Sequence, residues 1–143
     1  MLREGTMKDQ EKGKGKGKMR ALLARFSLDG HDRGLLSVMS SFRDRGIEVV
    51  YTYFSDPKEL TKAAEQEDVD IIGISSSMGE HFYIASNLVK VLNEQKIEIP
   101  VIMGGVIPTR DIPELLGMGI KKVFRPGSAP GEIVDFVFEI SKN

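Results

Sequence analysis

The chain has 143 residues, a formal charge of −1, 41% apolar and 7% aromatic residues, and neither cysteine nor tryptophan. Without cysteine it has no disulfide framework, thiol nucleophile or zinc–thiolate site. The near-neutral total argues against a dedicated nucleic-acid binder, no apolar run approaches the roughly 18 residues of a membrane span, and no secretory h-region is visible. The length suits about one domain and falls short of the roughly 250 residues of a TIM barrel. The expectation is a cytoplasmic, single-domain protein.

The total hides an asymmetry. Residues 1–20 hold seven basic and three acidic side chains, a net +4, so residues 21–143 carry −5 of the −1 total. Gly13 to Lys18 alternates glycine with lysine. Such a segment has no apolar face to bury and much chain entropy to lose. Residues 1–18 are therefore expected to be a disordered basic tail, either a solvated leader or an arm for an acidic partner, and 19–143 the folded domain.

In chain order, Ala21 to Phe26 is a short apolar run fit for a buried strand. Leu35, Leu36, Val38, Met39 and Phe42 recur at helical spacing up to Gly46. Ile47 to Phe54, β-branched and aromatic, predicts a second strand. Asp56-Pro57 opens a helix to about Glu67. Val69 to Ser75 predicts a third strand, and 80–95 a helix carrying Ile84, Leu88, Val91 and Leu92. Ile99 to Met103 predicts a fourth strand broken by Gly104-Gly105, followed by a short helix from Asp111 to Gly117. Ile120 to Phe124 and an amphipathic helix over 130–141 complete the pattern.

Strands alternating with crossover helices require a parallel sheet covered on both faces. Five such units predict an α/β, flavodoxin-like (Rossmann-like) fold of order 2-1-3-4-5, which binds ligands outside the carboxyl ends of its strands. The loops there are 27–34, 75–80, 104–110 and 125–130. The first, Leu28-Asp29-Gly30-His31-Asp32-Arg33-Gly34, holds a histidine two residues after an aspartate. It reads either as a polar turn capping a helix at Asp32, or as a metal ligand whose second ring nitrogen is oriented by a carboxylate. One histidine cannot hold zinc, which takes three or four protein ligands, so a metal on His31 needs its other positions filled from elsewhere, as by a macrocycle.

Asp29-x-His31-x-x-Gly34 matches the Asp-x-His-x-x-Gly signature of the cobalamin-binding domain of B12-dependent mutases and methyltransferases. Ser75-x-Ser77 stands where that family has Ser-x-Leu, and Gly104-Gly105 is its Gly-Gly element. The strings 28–34, 67–73 and 104–108 resemble the acyl-CoA mutase branch typified by methylmalonyl-CoA mutase, and the likeness spans about 19–140.

The resemblance implies that cobalamin binds with its benzimidazole base detached, His31 taking the lower axial position on cobalt with Asp29 and Arg25 supporting it. Gly30, Asp32, Arg33 and Gly34 would lie against the corrin. The nucleotide tail would enter a slot between sheet and helices, beside Ser75, Ser77, Gly79 and the side-chain-free Gly104 and Gly105. Phe124, Pro126, Gly127 and Ser128 would close it, Ser128 as a phosphate or ribose contact. Each has a plainer reading: Ser75 as a helix cap, Gly104-Gly105 as a turn, Phe124 as core. His81 is expected either near the cofactor or as a surface residue. Three positions depart from the family. Ser77 replaces leucine, loosening the slot unless Met78 fills it; Arg25 replaces a lysine and changes hydrogen-bond geometry; and Phe26-Ser27 replaces smaller residues.

The branch implies adenosylcobalamin and radical carbon-skeleton isomerisation, methylmalonyl-CoA to succinyl-CoA first among its reactions. The chain is too short to include the acyl-CoA-binding barrel, so the expectation is the small, cobalamin-binding subunit of a heteromeric mutase, inactive without a large TIM-barrel subunit. No nucleic acid or membrane is implied. The alternative is a stand-alone cobalamin carrier or a corrinoid protein for methyl transfer. A response-regulator reading leaves His31 unexplained and lacks the acidic cluster of a phosphoacceptor site.

Overall fold

The computed structural model describes residues 18–26 and 33–141. Five strands, β1 (Arg20–Phe26), β2 (Glu48–Phe54), β3 (Ile71–Ser76), β4 (Val101–Gly105) and β5 (Lys122–Phe124), alternate with five helices. These are α1 (Arg33–Asp44), α2 (Lys58–Glu67), α3 (His81–Glu94), α4 (Ile112–Met118) and α5 (Pro130–Ser141). All strand pairs are parallel and the order is β2-β1-β3-β4-β5, the flavodoxin-like order expected.

Period-2 alternation divides the strands between two layers. Leu22, Ala24, Ile72, Ile74, Val101 and Met103 face one side, where α2, α3 and α4 cover them through Leu60, Ala64, Ile84, Leu88 and Leu115. Ala21, Leu23, Ile71, Ile102 and Phe124 face the other, under α1 and α5 through Leu35, Met39, Phe42, Val134 and Val137. Both faces are apolar because the inner strands meet water on neither side.

The boundaries differ from expectation where the backbone demands it. β4 begins at Val101, since Pro100 has no N–H for the ladder, though its carbonyl accepts from Ile72. Gly104 and Gly105 lie inside β4, paired with Ser75 and Ser76, instead of breaking it. Arg20, counted in sequence with the basic leader, opens β1; its backbone N–H bonds Asp70 at 2.8 Å and its guanidinium bonds Glu48 and Glu67. The helix expected at Asp56-Pro57 starts with Asp56 accepting from Lys58 N–H at 3.0 Å, while Glu59 accepts from the N–H groups of Ser55 and Asp56. This reciprocal pattern satisfies donors that a helix start leaves orphaned.

Candidate functional site

One register row crosses the sheet near its carboxyl edge: Tyr53, Arg25, Ser75, Gly104, Phe124. The row below it reads Tyr51, Leu23, Gly73, Ile102, Lys122. Both face α1 and α5. Two glycines in adjacent rows leave the middle of this face without side chains, and a cavity of about 540 Å³ opens there. Leu23 and Ile102 floor it, Gly34, Leu35, Val38 and Phe42 wall it from α1, and Ile133 from α5. Its rim carries Ser75, Ser77, Gly105 and the segment Arg125 to Ser128.

The two glycines of the Gly-Gly element act differently. A Cβ on Gly104 would meet only the Phe124 backbone oxygen at 3.7 Å and the Phe124 Cβ at 3.9 Å, an ordinary contact, so its missing side chain is space given to the cavity. Gly105 has φ +116°, and a Cβ there would strike the Ser76 carbonyl, which Val106 N–H already occupies at 3.1 Å. Only glycine fits that backbone. Gly73 is tight in a third way, since a Cβ would come within 2.7 Å of Leu23 Cδ2.

Among the expected residues, Gly34, Ser75, Ser77, Gly104, Gly105, Phe124, Pro126, Gly127 and Ser128 all line this cavity. Phe124 does so while also packing edge-on to Phe136, with centroids 5.9 Å apart, so it is both core and wall. The Ser128 hydroxyl donates to the Arg125 carbonyl at 2.7 Å and keeps its acceptor side. Ser75 belongs to β3, and the N-cap of α3 is Glu80 with no side-chain cap bond, so the helix-cap reading of Ser75 fails. Gly79, with φ +84°, turns the chain outside the cavity. Asp29, Gly30, His31 and Asp32 lie outside the described residues, as does the tail up to residue 17.

Arg25 is buried in the row next to Ser75. Its Nε donates to the Tyr51 hydroxyl at 3.3 Å, and its guanidinium lies 4.4 Å from the centre of the Tyr53 ring. The Tyr51 bond holds the guanidinium above its ordinary value against the opposing effect of burial. Burial pushes the Tyr51 hydroxyl up while the Arg25 bond pulls it down. A charge seated between two tyrosines keeps a fixed direction that a lysine, with its single compact ammonium, would not have.

Two expectations are corrected. His81 is not a surface residue: it is 4% exposed, it faces the α2–α4 side, and its Nε2 pairs with Asp111 Oδ2 at 2.8 Å. It lines no part of the cavity; it joins the start of α3 to the turn before α4. Met78 does not fill the space left at Ser77, because it is 58% exposed. Sequence reasoning missed Gly73, Val38 and Ile133 as walls. Gly73 carried a signal, since a glycine inside a strand marks close approach of a neighbour or ligand; the other two look like any core residue.

The arrangement has an apolar floor and hydroxyl groups at its rim. Among the described residues no group of three histidine, aspartate or glutamate side chains gathers to hold a metal by itself. No helix among the described residues is long and apolar enough to cross a membrane.

Comparison with known proteins agrees with the geometry. Residues 19–134 match the model of the B12 binding domain. The chain is 36% identical over 121 residues to the 2-hydroxyisobutanoyl-CoA mutase small subunit of Aquincola tertiaricarbonis, covering 83% of this chain and 89% of that one. It is 37% identical over 120 residues to the pivalyl-CoA mutase small subunit of Xanthobacter autotrophicus, covering 83% and 81%. With methylmalonyl-CoA mutase of Cereibacter sphaeroides it shares 40% identity over 126 residues, 84% of this chain and 18% of that larger one. A cobalamin-binding protein from Desulfitobacterium hafniense has the same fold at TM-score 0.69 and 18% identity, covering 87% and 58%. The receiver domain of NarL from Mycobacterium tuberculosis, at TM-score 0.69 and 15% identity over 88% and 98%, shows that this fold also serves other ends. The chain belongs to the B12-binding domain family.

Proposed function

We propose that this chain is the cobalamin-binding small subunit of a heteromeric, adenosylcobalamin-dependent acyl-CoA mutase. The observation that carries the reading is the glycine-lined slot on one face of the sheet, bordered by Ser75, Gly104 and Phe124. The residues fit the group: a side chain at Gly104 would project into the slot, and the hydroxyls of Ser75, Ser77 and Ser128 stand at its rim.

Each residue then has a task. Leu23, Val38, Phe42, Ile102 and Ile133 would bury the detached base and exclude water from it. Ser75 would hydrogen-bond the base, and Ser128 a ribose or phosphate oxygen. Gly30 and Gly34 would let the backbone approach the corrin, flanked by Asp32 and Arg33. His31 would be the ligand that holds the cobalt, with Asp29 accepting its other ring proton and so fixing the ring and strengthening its donor. Arg25, held by its tyrosines, would support that pair. The bound cofactor supplies the radical carbon-skeleton chemistry, and the protein positions and tunes it.

The partner is a large acyl-CoA-binding subunit of TIM-barrel type, without which this chain is inactive. Two relatives named as small subunits carry 2-hydroxyisobutanoyl-CoA and pivalyl-CoA in their names, so these join methylmalonyl-CoA as candidate substrates. Residues 1–18 would remain a basic tail beside the folded domain, and the site of action would be the cytoplasm.

Two measurements test this. Cob(II)alamin labelled at its benzimidazole nitrogen, bound to the chain, is expected to give EPR splitting from an unlabelled histidine nitrogen that His31→Ala abolishes; splitting that follows the label overturns the axial assignment. Isomerisation of the three acyl-CoA thioesters by the large subunit is expected only when this chain is added. Turnover by the large subunit alone would sink the subunit reading.

A further inference from the structure

We propose that Arg125 is the anion contact of the slot: its guanidinium pairs with the phosphodiester of a corrinoid's nucleotide tail, and the chain thereby prefers corrinoids that carry the phosphate to those that lack it. This rests on the cobalamin-binding reading and adds to it the group that reads the charge of the tail.

Among the described residues that line the cavity, Arg125 alone carries a charge; the others are apolar side chains, glycines and serines. Arg125 is exposed, and among the described residues no carboxylate pairs with it. Arg20, Arg45 and Arg25, by contrast, are engaged with Glu48 and Glu67, with Asp135, and with two tyrosines. The backbone under Arg125 is held in a tight turn. Its carbonyl accepts from the Ser128 N–H at 3.0 Å and from the Ser128 hydroxyl at 2.7 Å, and Gly127 closes the turn at φ +90°. Only the side chain is left to adjust, one residue beyond the Phe124 wall at the end of β5.

The same turn decides between the two polar groups at this end of the slot. A phosphodiester at neutral pH carries one negative charge and acceptor oxygens, and has no proton to give. A serine hydroxyl has one O–H to donate, and that of Ser128 is spent on the Arg125 carbonyl. What Ser128 keeps is acceptor capacity, which suits a ribose hydroxyl and not an anion. Arg125 offers N–H donors in a fork that matches two phosphate oxygens. The long-range field gives no help, since residues 21–143 carry a net −5. The attraction has to be local, and a phosphate set against apolar walls without a partner is costly.

The test is equilibrium dialysis of the full chain against three corrinoids: hydroxocobalamin; cobinamide phosphate, which keeps a phosphate without the base; and cobinamide, which has neither. Arg125→Gln is expected to weaken the first two by about fivefold, the upper scale of an ion pair at a solvent-exposed rim, and to leave cobinamide within about twofold. Arg125→Lys, which keeps the charge, should recover part of the loss. Wild-type affinity for cobalamin should also fall more steeply with added sodium chloride than that of Arg125→Gln. An unchanged cobalamin affinity in Arg125→Gln overturns the proposal. So does an equal loss for all three corrinoids, which places Arg125 against the corrin, or a loss confined to cobalamin, which places it against the base. Each of these leaves the cobalamin-binding reading standing, whereas a wild-type chain that binds no cobalamin overturns both.

Discussion

The two faces of the sheet are built from the same strands and differ in what fills the middle. On the α2–α4 side, Leu22, Ile72, Ile84, Leu88, Met103 and Leu115 are almost wholly buried and close the layer. On the α1–α5 side, Gly73 and Gly104 occupy the central rows, and a cavity of about 540 Å³ stands where side chains would interlock. Interiors normally pack to crystal-like density, so a cleft of that size beside a closed core is packing given up on one face only. One face holds the fold together, and the other gives up packing for a site.

Breaking the closed face should have the largest effect on stability. Leu88→Ala, at a fully buried position in α3, is expected to lower unfolding free energy by about 3 kcal/mol. Urea unfolding would register this, with corrinoid affinity of the folded fraction unchanged; a weakened affinity would mean the faces are not independent. Next comes the Gly-Gly pair, which separates the faces at adjacent residues. Gly105→Ala meets the Ser76 carbonyl at a positive φ and should cost about 2 kcal/mol. Gly104→Ala should leave the melting temperature within a degree or two while weakening cobalamin binding; equal thermal losses in both variants would refute the division of labour.

His81→Phe removes the 2.8 Å partner of Asp111 and leaves it only the exposed Arg110 at 3.9 Å. The carboxylate is 19% exposed, so the expected loss is near the low end for an unpaired polar group, about 1 kcal/mol. Thermal unfolding measures it, and a stabilised variant would show that the pair is not structural. The smallest effect belongs to Arg45→Ala, whose 3.2 Å bond to Asp135 joins the end of α1 to α5 at the surface. Both partners are about half exposed or more, and the change should stay within about 0.5 kcal/mol. A larger loss would mean that the open face leans on its helix-to-helix edge.

Much of the fold was legible because its signals are local. Helical spacing at Ile84, Leu88 and Leu92 and the β-branched runs at Ile47 to Phe54 and Ile71 to Ile74 reflect which faces must be buried, and five alternating elements admit few strand orders. The cavity's rim was legible through glycine and serine at strand ends. Its helix walls were not, because Val38 and Ile133 obey the same periodicity whether they meet another side chain or a void. His81 misled for the related reason that its burial depends on Asp111, thirty residues away.

The sequence by itself determined the parallel α/β layering, the order of strands and the family, since periodicity, turn residues and the Asp29-x-His31-x-x-Gly34 spacing are properties of neighbouring residues. Tertiary structure alone decided that Gly73 and Gly104 fall side by side in adjacent rows of one face, that Gly104 gives room while Gly105 gives backbone freedom, and that Met78 turns outward from Ser77. Those outcomes depend on register between strands and on the direction of a turn. Both are set by how distant segments pack, so neither is written in any one segment.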